Sequence, residues 1–253
     1  MLGFGKQRFA VAWSLAATAV AFLSNEARAA GGAYAVDTAE ISDTGSCKIE
    51  TWASWADNTD LVRVANPSCV VDIFRPVELS SQVFHARADG EWDTTVTPRA
   101  KTKIIPTEIG KFGFAISASA TYDMMTRENT QVNINVPATL RLSNVVRINV
   151  NAGWQWDRII DRHYVTYGIG VDWRTPDNVW TWTGEIFGQA GADHPDVPPS
   201  VTRPRFQTGI RWRPIDVFSI DVIYGRNVYG ENANWVTVAA IRRFPVPGGK
   251  GGE

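Results

Sequence analysis

Between Lys111 and Trp156 the chain alternates apolar and polar residues with a period of two. Phe112, Phe114, Ile116, Ala118, Ala120 and Tyr122 fall on one parity, against Lys111, Gly113, Ser117, Ser119 and Thr121 on most of the other. The next stretch sets Val132, Ile134, Val136, Ala138 and Leu140 against Asn133, Asn135 and Thr139. A third sets Val146, Ile148, Val150, Ala152, Trp154 and Trp156 against Arg147, Asn149, Asn151, Gly153 and Gln155. An extended strand sends successive side chains to opposite faces, so this pattern predicts a sheet with one apolar and one polar surface. A helix would need a period near 3.6, which none of these stretches shows. Similar segments follow at 163–174, 179–190, 201–213, 217–226 and 234–244. Each is long enough for the ~9–11 tilted residues that carry a β-strand across a bilayer, where soluble strands average about five or six.

The connections alternate in length. Short turns fall at 143–144, 175–178 and 214–216, and longer ones at 123–130, 157–162, 191–200 and 227–233. Membrane barrels pair short periplasmic turns with longer outer loops, so the expected C-terminus is periplasmic. Upstream, 46–56, 61–74, 77–87 and 91–105 also read as strands, but Pro67, Pro98 and mixed faces blur their alternation. The expected fold is therefore an all-β, antiparallel transmembrane β-barrel over residues 46–244, with about twelve strands. Ten remain possible if one early segment lies outside the wall or plugs the lumen. Residues 30–45 read as a flexible lead-in, and 245–253 as a flexible tail.

Aromatic residues sharpen this. On the outward faces, Tyr122, Trp154, Trp156, Tyr164, Phe206, Tyr224 and Trp235 fall toward one end of the strands. Phe112, Phe114, Trp173, Trp180, Trp182, Trp212 and Phe218 fall toward the other. Two aromatic girdles around an aliphatic band suit the two headgroup layers of a membrane, whereas a soluble sandwich would bury its aromatics at mid-strand. The N-terminus fits the same destination. Lys6 and Arg8 precede an apolar run over residues 9–23, and Ala27-Arg28-Ala29 supplies a small-residue cleavage site. This predicts a signal peptide over residues 1–29, with an apolar run shorter than the ~20 residues of a membrane helix. Export exposes Cys47 and Cys69 to an oxidising compartment, where a disulfide across a hairpin turning at 57–60 is expected; two buried thiols are the alternative.

The leader, the Gly-Glu-Asn-Ala-Asn-Trp loop at 230–235, the last strand ending in Arg243-Phe244 and the alternation between them carry a resemblance. The chain resembles alphaproteobacterial outer-membrane β-barrel proteins, a poorly characterised group, and more loosely the transporter-like barrels associated with phenol-degradation pathways. The resemblance covers most of the chain after the leader and implies an outer-membrane barrel, though none of its motifs is a known active site. It also implies outer-membrane lipid and the barrel-assembly machinery as partners. One departure is that Phe244 does not end the chain but precedes residues 245–253.

Candidate chemistry is confined to the inward face. The alternation sends Arg99, Lys101, Lys103, Arg141, Arg147, Arg174, Arg205, Arg211 and Arg213 into the lumen, against Asp93, Asp172, Glu185 and Asp221. Cationic pore walls raise the local concentration of anions, so the leading expectation is a passive channel for small polar or anionic solutes. The same charges could instead pair and seal a closed structural or interaction barrel. A lipid-modifying enzyme is a third reading, but His85, His163 and His194 each lack a serine two residues away that would share a strand face. No phosphate-binding glycine loop or metal-ligand spacing is present, so no cofactor and no metal are expected. Lys and Arg total 25 against 26 Asp and Glu, which gives no polycationic argument for nucleic acid. The sequence leaves oligomeric state open.

Overall fold

A computed structural model describes residues 33–88, 90–191, 204–228 and 234–245. The expected leader (1–29), His194, most of the 191–200 and 230–235 loops, and nearly all of the expected tail lie outside the described residues.

Twelve strands form: β1 (Ser46–Ala56), β2 (Leu61–Asp72), β3 (Pro76–Ala88), β4 (Glu91–Ile105), β5 (Phe112–Asp123) and β6 (Glu128–Arg141), then β7 (Val146–Asp157), β8 (Arg162–Arg174), β9 (Trp180–Gly191), β10 (Arg205–Ile215), β11 (Phe218–Asn227) and β12 (Asn234–Pro245). Each pairs antiparallel with its sequence neighbours, and β1 pairs β12 from Ser46↔Pro245 to Ala56↔Trp235. The result is a closed barrel, which leaves no unpaired strand edge.

The period of two sorts the wall into two surfaces. On β7, Asn149, Asn151 and Gln155 are buried while Val150 and Trp154 are exposed. On β8, Asp172 is buried between exposed Val171 and Trp173. Polar groups are thus inside, and the outer surface carries exposed Ile134, Val136, Ile169, Ile186, Ile210, Val222 and Val238. Such a continuous aliphatic surface is far larger than a water-soluble monomer presents. Trp180 and Trp212 stack at one end of it, as the girdle pattern predicts. Cys47 and Cys69 are directly opposed on β1 and β2 and form a disulfide.

Four expectations need correction. Tyr164 and Trp235, assigned to the outer girdle, are 3% and 7% exposed and face inward. They share parity with Asp172 on β8 and Thr237 on β12, which are buried too. The lumen is also not polar throughout: Trp52, Val62, Val64, Phe84 and Ala86 form a buried apolar cluster inside β1–β3. The loop-length contrast is weaker than the sequence implied. β3 and β4 join through a two-residue turn at the expected long-loop end, made possible by Gly90 at φ 85°, a left-handed conformation that tight hairpins require. Finally, the lead-in does not lie outside the fold. Residues 33–45 form no helix or strand, yet they run inside the barrel.

Candidate functional site in the barrel lumen

The inner segment enters beside β1 and β2, where Gly45 N–H donates to the Val70 carbonyl at 3.0 Å. It then passes between side chains of the wall, which satisfy its backbone in place of a strand partner. Thr139 accepts from Ala39 N–H at 2.8 Å. Asn151 accepts from Asp37 N–H at 2.8 Å and donates back to the Asp37 carbonyl at 2.7 Å. The Glu185 carboxylate accepts from Ala35 N–H at 2.6 Å and Val36 N–H at 3.1 Å. Buried backbone groups are almost always paired, and here the Asn, Thr and Glu residues of the polar face supply the partners.

Two carboxylates of this segment anchor it to the wall. Asp37 binds Lys101 at 2.9 Å and also Arg99, with the Asp37 and Lys101 side chains only 7% and 4% exposed. Lys101 makes a second bond, to the Thr38 carbonyl at 2.6 Å. Glu40 accepts from Arg141 Nε and from Arg147 Nη1, each at 2.8 Å. Arg147 is shared with Asp172, which also accepts from Asn149 at 2.9 Å and Thr183 at 2.6 Å. Charge-assisted bonds of this kind are roughly twice as strong as neutral ones.

Further inside, contacts become apolar. Ala33 packs on the cluster around Trp52 and Phe84, and Ala35 and Val36 pack with Phe187 and Trp235. Two wall glycines make room. A methyl group added at Gly168 would lie 2.8 Å from Val36 Cγ2, and one at Gly209 would lie 2.7 Å from the Tyr34 hydroxyl. The wall is thus shaped to this segment as well as charged for it.

The candidate residues read from sequence differ in what they meet. Arg99, Lys101, Arg141 and Arg147 do face inward, but as partners of Asp37 and Glu40. Arg211 pairs in a two-pronged geometry with Asp221, at 2.6 and 2.8 Å. Glu185 opposes no cation and binds backbone amides and Gln207. Asp93 accepts from Thr94 N–H at 2.6 Å near the opposite end of the wall, and Arg205 is buried at that end too. Arg174 and Arg213 line a cavity of about 420 Å³ below the inner segment. Sequence reasoning missed Asp37, Glu40, Lys48, Glu50, Glu78 and Arg243. The last four sit on inward parity beside recognised residues, and Lys48 lies 3.4 Å from Glu50 and 3.6 Å from Glu78.

The two described histidines take no part in the lumen. His85 stacks on Trp92 at 4.4 Å and shares a hydrogen bond with Thr94 at 2.8 Å. His163 stacks on Trp154 and Trp156 on the outer face. Among the described residues, no group of three or more His, Cys, Asp or Glu could hold a metal ion.

The chain belongs to the family described as uncharacterised conserved protein UCP029691, which matches residues 18–244. No curated protein matches it. Its barrel is similar to several solved ones at low identity. The KdgM porin in complex with disordered oligogalacturonate aligns with TM-score 0.58 and 12% identity, over 78% of this chain and 99% of the porin. An outer membrane channel from Pseudomonas putida F1 aligns with TM-score 0.57 and 12% identity, over 81% of this chain and 97% of the channel. Outer membrane phospholipase A from Escherichia coli aligns with TM-score 0.51 and 6% identity, over 87% and 96%. These likenesses establish the fold, and function has to be argued from the lumen.

Proposed function

We propose that the chain is an outer-membrane channel for small anionic solutes, closed in the described state by its own residues 33–45. In this reading residues 1–29 direct export and are removed, the barrel-assembly machinery inserts the wall, and the aliphatic outer surface contacts lipid. β1 begins and β12 ends at one rim of the barrel, where Ser46 pairs with Pro245, and the reading assigns this rim to the periplasm.

The observation that carries the proposal is a polar, charged lumen wall occupied by a segment belonging to no strand. A barrel built only as a scaffold could fill its interior with apolar side chains, as soluble cores do. Here about half the barrel's interior is Asn, Gln, Thr, Asp and Arg, which remain compatible with water once the segment leaves. The similar porin solved with oligogalacturonate is a solute-binding barrel of the same fold, which agrees with this reading. Anion preference follows from the pairing pattern. Arg147 and Arg211 keep the wall acids Asp172 and Asp221, whereas Asp37 and Glu40 leave with the segment, so Arg99, Lys101 and Arg141 join the cations without acidic partners in the open state. The lipid-enzyme alternative gains nothing from the described histidines, because His85 and His163 stack on tryptophans.

Planar-bilayer recording tests the channel. Mature protein is expected to show rare or small openings, and a variant lacking residues 30–45 sustained conductance with a reversal potential displaced toward chloride. Silence from both, with the variant still a folded barrel, would sink the channel reading and favour a sealed interaction barrel.

A further inference from the structure

The lumen cations are unevenly paired. Arg174, Arg213 and Arg243 all line the 420 Å³ cavity below the inner segment, and none of the three forms an ion pair among the described residues. Each carries a buried guanidinium nitrogen without a hydrogen-bond partner: Nε of Arg174, Nε of Arg213 and Nη1 of Arg243. Among the described residues the one side-chain hydrogen bond in the set runs from Arg174 Nη1 to Asn178 at 3.4 Å. Buried donors left unpaired are costly, and more so for charged groups, so three at one place call for an explanation.

Strand direction places them together. β8, β10 and β12 run the same way in an antiparallel wall, and Arg174, Arg213 and Arg243 lie at or near their ends on inward parity. Next-nearest strands are on the order of 10 Å apart, within reach of converging arginine side chains. Arg213 lies in the electrostatic field of both Arg174 and Arg243, and also of Arg211. The neighbouring acids are already committed. Glu40 serves Arg141 and Arg147, Asp172 serves Arg147, Asp221 serves Arg211, and Glu50, whose field reaches Arg243, shares Lys48 with Glu78. Asp216 also lines the cavity but is exposed in the β10–β11 turn. Like charges held close without counter-ions repel, and planar guanidinium forks suit the oxygens of carboxylate and phosphate.

We infer that Arg174, Arg213 and Arg243 form a binding site for an oxyanion carrying two or more negative charges, at the end of the lumen where β1 begins and β12 ends. A cavity of this size falls in the ordinary range for small-molecule sites. The inference rests on the channel reading for its cargo, since the anion bound here is the solute waiting beneath the closed segment. Arg174 also lies in the field of Glu40, so a bound polyanion adds negative charge beside the carboxylate that holds the segment in place.

Isothermal titration of the mature full chain in detergent, at fixed ionic strength, tests the site with inorganic phosphate, citrate and chloride as probes. Saturable one-to-one binding of phosphate or citrate is expected, with chloride at least tenfold weaker; the two oxyanion arms tell phosphate from carboxylate chemistry. Arg213→Gln with Arg243→Gln is expected to weaken binding at least tenfold, while Arg226→Gln, exposed on β11, leaves it unchanged. Arg213→Lys keeps the charge but not the fork, and is expected to lose about threefold to tenfold, a reading that stands even where the double variant does not fold. Absence of saturable oxyanion binding, or equal binding in wild type and the folded arginine variants, would overturn the site. Failure here leaves the conductance of the variant lacking 30–45 untouched, so the two proposals fail separately.

Discussion

Asp37 is the residue on which the inner segment's polar contacts converge. Its carboxylate meets Lys101 and Arg99, its N–H and carbonyl both bind Asn151, and Lys101 braces the next carbonyl. Removing one partner of a buried ion pair costs about 3–5 kcal/mol, because the other charge is left uncompensated. The segment can avoid this cost by leaving and letting water reach Lys101. Asp37→Asn is therefore expected to raise thiol labelling of a Thr38→Cys reporter severalfold over the same reporter alone; unchanged labelling would mean that this ion pair does not hold the segment. Gly168→Val acts sterically at the same place, crowding Val36, and is expected to raise labelling without removing any charge. The inward cations were legible in the sequence because alternation gives direction. Their partners were not, because parity says where a side chain points and nothing about what it meets. Asp37 and Glu40 sit in a stretch without periodicity, so no pattern assigned them a face. The available signal was a wall whose inward cations outnumbered its recognised acids, preceded by a short segment carrying three more.

At the scale of the strand, legibility depended on what fills the inside. From β5 to β7 the inward residues are mostly Ser, Thr, Asn and Gln against aliphatic outward ones, and the alternation is plain. In β1–β3 the inward set includes Trp52, Val62, Val64 and Phe84, so both faces are apolar and the contrast vanishes. The strands were still found at nearly their observed bounds, since turns and length marked them. The same element holds the disulfide. Cys47 and Cys69 are 22 residues apart in the chain, and closing a loop of that length removes entropy from the unfolded state worth about 3 kcal/mol in the loop-entropy treatment. Cys47→Ser with Cys69→Ser is expected to lower the thermal unfolding temperature by a few degrees while leaving conductance of the variant lacking 30–45 unchanged. A large change in conductance would place the bridge in the permeation path, contrary to its outward parity.

For the molecule as a whole, the closed ring was legible from strand number and length, whereas the filled interior was not. Closure of β1 on β12 leaves no strand edge open, and exposing the ladder amides requires the wall to part. The inner segment is different in kind. Its covalent link to the wall runs through Gly45 and Ser46, its ion pairs are those of Asp37 and Glu40, and its amides at Ala35, Val36, Asp37 and Ala39 end on side chains. It can be withdrawn like a cord from a sleeve, without unzipping a single rung of the ladder. The interior and the wall should then keep separate clocks. In hydrogen–deuterium exchange those four amides are expected to exchange well before the strand amides that surround them, and to do so at denaturant concentrations too low to open the barrel.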